Sequence, residues 1–177
     1  PMWTPRGFSF AGLNCGIKAV RKDVALIVSE APCVAAGCFT VNKAKAAAVR
    51  DAEARLPGRG VFALIANSGN ANALTGPRGE ADVKTIQAEY AAVLGVPATS
   101  VLSASTGVIG VPLPVKKVVD VAPRLKAALS SSVEAAAEAI FTTDTRLKVT
   151  SRLITIGSTN VHLSAFAKGS GMVAPQL

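Results

Sequence analysis

The stretch GVFALIANSGNAN, residues 60–72, decides how the chain is read. Its first half is an apolar run of strand length, the pattern of a buried strand. Its second half turns polar at Asn67, Gly69, Asn70 and Asn72. Asparagines tolerate left-handed backbone or cap local amides, and Gly69 adds backbone freedom. A buried strand that empties into an Asn/Gly loop is a building unit of a layered α/β protein. Loops on such a rigid scaffold are where sites gather.

Working outward, DVALIVSE and VAAGCFTVN read as two further strands with APC as the turn between them. Downstream, Val83, Ile86, Tyr90, Val93 and Leu94 recur at helical spacing and predict a helix over 80–94, its apolar face interrupted by Gln87. VLSASTGVIG then reads as a strand leading into a Ser/Thr/Gly loop. After PLP, residues 115–129 form a second helical pattern with Val119, Val121, Leu125 and Leu129 inward. SSSVEAAAEAIF predicts another helix, opened by a serine N-cap and Glu134 in a capping box. KVTSRLITIG and NVHLSAFAKGSG alternate as strands joined by GSTN, a hairpin. The order is strands, helix, strand, two helices, hairpin, glycine loop. That is an α/β protein of layered sheet and helices, with no long linker or internal repeat.

Composition narrows the classes. The 177 residues are 50% hydrophobic and 17% charged, where about a quarter is usual; mean hydropathy is +0.40. The longest apolar runs, VFALIA and DVALIV, fall far short of the roughly 20 residues of a spanning helix. PMWTPRGFSF has no apolar core of a signal peptide. These features predict a cytoplasmic chain without membrane association that buries apolar surface against an obligate partner. The formal net charge of +8 is scattered, and rings for base stacking are few, which argues against nucleic acid. A basic balance suits anionic amino acids or an acidic partner chain. Cys15, Cys33 and Cys38 lack zinc spacing and read as buried thiols of a reducing compartment. The single histidine, His162, cannot build a metal site alone and reads as structural. No metal and no cofactor are expected.

Four loops carry small, hydroxylated or amide residues after a strand or helix: NSGNAN, SASTGVIG, TTDT and AKGSGM. Ser105, Thr106 and Gly107 could offer a hydroxyl and backbone N–H groups to an oxyanion or a phosphate, or simply form a tight turn. No P-loop lysine follows, and no GxSxG elbow is present. Asp144 of TTDT reads as an acceptor of local hydrogen bonds. Lys168, before Gly169 and Gly171, could hold a substrate carboxylate or sit solvated at a strand end. No nucleophile–base set is visible, so a partner would have to supply one.

Taken together, PRGFSFAGLNCGIK, GCFTVNKAKAAAV, ANSGNANALTG, ASTGVIG, AIFTTDT and AKGSGMVAP resemble, in this order, the hallmark segments of the ornithine acetyltransferase (glutamate N-acetyltransferase) family of arginine biosynthesis. The resemblance covers nearly the whole chain. It implies the layered α/β sandwich of the ornithine acetyltransferase/DmpA-like type, completed by a separate β chain. It implies one α-chain domain over residues 1–177, the N-terminal part of a precursor that cuts itself at an Ala-Thr bond; the chain stops at Leu177, before that alanine. The β chain's N-terminal threonine is then the nucleophile, and α2β2 is the expected assembly. By resemblance, Thr106 and Gly107 stabilise the oxyanion, and Thr142 and Lys168 bind substrate. The substrates implied are N-acetylornithine and glutamate, in a ping-pong transfer that in some members also uses acetyl-CoA. The alternatives are a self-cleaving aminopeptidase relative, which passes the acyl group to water, a secondary-metabolite acyltransferase of the same family, and a non-catalytic binding subunit.

Overall fold

The computed structural model describes residues 4–172 and residue 177. Residues 173–176, the VAP end of the AKGSGMVAP segment and Gln176 after it, lie outside the described residues. Among the described residues six strands and five α-helices follow one another: β1 (Phe8–Leu13), β2 (Val24–Ala35), α1 (Ala47–Arg55), β3 (Gly58–Asn70), α2 (Gly76–Leu94), β4 (Val101–Val108), α3 (Val115–Asp120), α4 (Ala122–Ala127), α5 (Glu134–Ala139), β5 (Lys148–Ile156) and β6 (Thr159–Ala167). β1 to β4 form one sheet in chain order, and β5 pairs with β6 in a second. Within the larger sheet β1–β2 and β2–β3 are antiparallel and β3–β4 is parallel. α2 is the crossover that parallel pairing requires.

Alternation along the strands sorts side chains onto two faces. On one, Leu26, Ile65 and Val101 pack beneath Ile86 and Tyr90 of α2, with Val118 of α3 and Leu125 of α4 in the same cluster. The buried Tyr90 hydroxyl donates to the Val118 carbonyl at 2.9 Å, so the one polar atom of a large core ring is satisfied. On the other, Phe10 and Ala25 meet Val133, Ala136 and Ala139 at α5. α5 lies so close to β1 that a Cβ on Gly12 would stand 1.9 Å from the Ala135 carbonyl oxygen. Only a glycine permits that approach.

The structure departs from the sequence pattern at several places. VAAGCFTVN is not a separate strand: β2 runs unbroken through Ala35, including Ala31, Pro32 and Cys33, and residues 36–46 are irregular. The register shift between Val28 and Cys33 shows how β2 absorbs the proline as an irregularity at the sheet's edge rather than as a turn. The pattern over 115–129 breaks into α3 and α4 around Val121, since Pro123 lacks the N–H that a continuous helix needs. α5 begins at Glu134 with Val133 at its N-cap, and no side-chain capping bond forms. The capping box is absent; Ser132 Oγ instead accepts from the Glu134 N–H at 3.4 Å, one residue out of register.

α1 has no counterpart in the sequence reading. It buries only Ala47 and Ala48 and is held by polar contacts. Asp51 accepts from Arg55 at 2.7 Å, Lys84 at 2.6 Å and Gln87 at 2.5 Å. Gln87 is therefore no flaw in the face of α2: it reaches across to α1. Burial alone would raise the Asp51 carboxyl, but Lys84, Arg55 and Gln87 outweigh it and hold the group below its ordinary value.

Candidate functional site

The parallel pair sets the site. Ala63 to Gly69 of β3 run beside Val101 to Gly107 of β4 in continuous register, Asn67 opposite Ser105 and Gly69 opposite Gly107. Both strands therefore deliver their polar ends to the same edge of the sheet. Ser105 Oγ donates to Asn67 Oδ1 at 2.6 Å, and Asn67 Nδ2 donates to the Asn70 carbonyl at 2.8 Å. Asn70 Oδ1 accepts from the Asn72 N–H at 2.8 Å. The asparagines of the opening stretch thus satisfy backbone and neighbours, which is what buried amides must do.

Gly107 has φ +135°, and a Cβ there would fall 2.3 Å from the Gly69 carbonyl carbon. Two backbones meet at this point, and a side chain on β4 would force them apart. Thr106, next to it, accepts from Lys168 Nζ at 3.1 Å through its hydroxyl oxygen. Two of the residues singled out from distant loops are thereby in direct contact, and Gly107 is adjacent. A cavity of about 220 Å³ opens here on the α5 face of the sheet, lined by Ile27, Leu64, Ala66, Thr106, Phe166 and Lys168 among others.

Thr142 is linked to this cluster through backbone. Its N–H donates to Asp144 Oδ2 at 3.3 Å, while Asp144 Oδ1 accepts from the Gly169 N–H at 2.7 Å. Lys148 closes an ion pair on the same carboxylate. Burial raises the Asp144 carboxyl, but Lys148 and the N–H groups of Gly169 and Thr142 reverse this and hold it far below the usual carboxylate range.

Lys18 was not singled out from sequence. The 14–22 loop wraps on the buried Asp23, whose carboxylate accepts from the Cys15 N–H at 2.6 Å and the Lys18 N–H at 2.8 Å. Lys18 then lays its stem over Gly69, and its ammonium bonds the Phe141 carbonyl, one residue before Thr142. Burial lowers its amine, as do the charges of Arg21 and Lys168, against the opposing pull of Asp23 and Asp144. The only sequence signal for it was its place in the GIK end of the first hallmark segment. Cys15 in the same loop is a poor nucleophile: burial and Asp23 push its thiol up to about 12. Among the described residues no group of three or more His, Cys, Asp or Glu side chains could hold a metal ion.

Fold and site together define a layered α/β chain that presents a hydroxyl, a lysine ammonium and a positive-φ glycine at the polar end of a parallel strand pair. The ArgJ family matches residues 9–177, and the chain belongs to that family. It is 45% identical over 179 residues to the arginine biosynthesis bifunctional protein ArgJ of Thermotoga neapolitana, covering 99% of this chain and 45% of that protein. The chain thus spans about half the length of the curated relatives it matches. Its structure resembles that of arginine biosynthesis bifunctional protein ArgJ from Bacillus halodurans, with TM-score 0.91, 37% identity and coverage of 97% and 91% of the two chains. It also resembles ornithine acetyltransferase from Mycobacterium tuberculosis, solved in complex with ornithine, with TM-score 0.88, 38% identity and coverage of 97% and 93%.

Proposed function

We propose that this chain is the α subunit of a glutamate N-acetyltransferase of arginine biosynthesis, a single domain partnered by a β chain from the same precursor in an α2β2 assembly of the cytoplasm. The observation that carries the acyl-transfer reading is the Lys168–Thr106 contact beside Gly107. It joins, across 62 residues of sequence, the segments that the resemblance assigns to oxyanion and substrate. The two-chain reading is supported by a difference in coverage. The chain spans 45% of the Thermotoga protein but 91% and 93% of the two crystallised chains.

In the proposed reaction the β chain's N-terminal threonine hydroxyl attacks the acetyl carbonyl of N-acetylornithine. Its own α-amino group, with a reference pKa near 8, takes the hydroxyl proton. The carbonyl oxygen becomes an oxyanion, stabilised by the Thr106 hydroxyl and the Gly107 N–H. Its collapse breaks the amide bond, and the leaving amine of ornithine collects the proton. The acetyl ester on threonine is then attacked by the amine of glutamate, which regenerates the hydroxyl. Thr142 and Lys168 bind the amino-acid part of each substrate, the ammonium of Lys168 meeting a carboxylate. The chemistry calls for no cofactor. The word bifunctional in the relatives' names fits a second acetyl donor such as acetyl-CoA.

The test is to express the whole precursor, sequence the N-terminus of each polypeptide and assay transfer from N-acetylornithine to glutamate. A second polypeptide beginning with threonine, together with acetylglutamate formation, is the expected result. Release of free acetate without acetylglutamate would favour the hydrolytic alternative. A partner chain beginning with any other residue would remove the nucleophile.

A further inference from the structure

Asp144 takes no part in the transfer just described, yet its side chain is 0% exposed. A carboxylate so enclosed is costly unless its lone pairs are used. Here they are used on two different segments. Oδ2 accepts from the Thr142 N–H, and Oδ1 from the Gly169 N–H. Lys148, which neutralises the carboxylate, also donates to the Gly169 carbonyl at 2.8 Å. Both polar groups of Gly169 are therefore held by this ion pair. Gly169 directly follows Lys168, and Thr142 lies two residues before Asp144.

We propose that Asp144 is a positioning residue: its carboxylate bridges the Thr142 loop to the turn after Lys168 and fixes the spacing of those two side chains. The proposal rests on reading Thr142 and Lys168 as substrate contacts. A second tether runs alongside, where the Gly171 N–H donates to Thr143 Oγ1 at 3.0 Å, but it is exposed and joins residues further from both side chains. The rival is that Asp144 only stabilises the root of the β5–β6 hairpin. The two differ in what else must change when the bridge is cut.

The experiment uses the assembled two-chain protein. Asp144→Asn keeps the volume but offers one acceptor oxygen and no charge, so one backbone N–H loses its partner, the bond to the other weakens, and both segments loosen. Lys148→Met removes the compensating charge and the bond to the Gly169 carbonyl while leaving both carboxylate acceptors in place. Expected for Asp144→Asn is a rise of at least tenfold in KM for N-acetylornithine with a smaller change in kcat. Amide exchange should quicken together in residues 142–145 and 168–171. In a Thr142→Ala background the same substitution should add less than threefold, because the residue it positions is already gone. Lys148→Met, which frees the Gly169 carbonyl but not its N–H, should raise KM less than Asp144→Asn does. An unchanged KM, full additivity with Thr142→Ala, or faster exchange in one segment alone would each overturn the bridge. If Asp144→Asn does not accumulate, Lys148→Met decides: retained exchange protection of the Thr142 and Gly169 amides supports the carboxylate bridge, and loss of protection at both overturns it. A wild-type enzyme that transfers no acetyl group would sink the functional reading instead, and the paired exchange measurement would still judge the bridge.

Discussion

The two faces of the four-stranded sheet are finished in opposite ways. One is sealed: Leu26 and Val101 are 0% exposed and Ile65 is 1% exposed beneath the helices α2 to α4. The other is covered by α5 at the β1–β2 end and left open over β3 and β4, where Ala104 is exposed and Thr106 half-buried. The sealed face holds the fold, while the open face collects the polar ends of strands, the Thr142 loop and Lys168. Separating the two lets a polar arrangement exist without drawing on the packing that stabilises the chain.

If that division of labour is right, substitutions on the two faces should fail differently. The largest effect is expected from Leu26→Ala on the sealed face, a loss of about 2–5 kcal/mol. Denaturant melting of the assembled enzyme would measure it, and kcat/KM per folded molecule should stay near wild type. Next comes Lys168→Met on the open face. Loss of a charge-assisted contact worth about 2 kcal/mol corresponds to roughly a thirtyfold fall in kcat/KM. Its melting midpoint should barely move; a midpoint that fell as far as that of Leu26→Ala would erase the distinction.

The smallest effect belongs to the periphery of the sealed side, at Asp51. Its folded carboxyl lies below the ordinary value, so its contribution is present above the unfolded pKa of about 3.9 and lost as pH falls through the lower folded value. Asp51→Asn should therefore cost about 1 kcal/mol at pH 7. The gap between variant and wild-type melting should close as pH is lowered below the usual carboxylate range. A gap that is constant from pH 7 to pH 2 would show that the Asp51 charge contributes nothing.

The central strands, the long helix and the final hairpin were legible because each carries a clear period, as with Val83, Ile86 and Tyr90. α1 was not, because its two buried side chains are alanines and its anchor is the Asp51 network, which makes sense only once α2 lies beside it. Proline misled in both directions. Pro32 looked like a turn and lies within β2, while Pro123 sat inside an apparent helix and divides it into α3 and α4. Thr106, Gly107 and Lys168 were singled out by loop composition and a resemblance, since no periodicity marks them. Their contact depends on the register of β3 with β4 and on where β6 ends. Lys18 escaped because a lysine in a loop looks like any solvated charge until Asp23 is seen folding that loop over Gly69.

The β5–β6 hairpin leaves and re-enters the molecule at one place, since Lys148 pairs with Ala167 at its root and Ile156 with Thr159 at its tip. Nine residues of strand at about 3.3 Å each put the tip roughly 30 Å from the Thr142 and Lys168 segments. The hairpin is rooted at that end, and further along Leu153, Asn160 and Val161 line a cavity shared with Pro5 and Arg6. The tip, Gly157–Ser158, is exposed, so a fluorescent label or short insert there would sit far from the root and leave it untouched, which makes the tip a natural attachment point for a reporter.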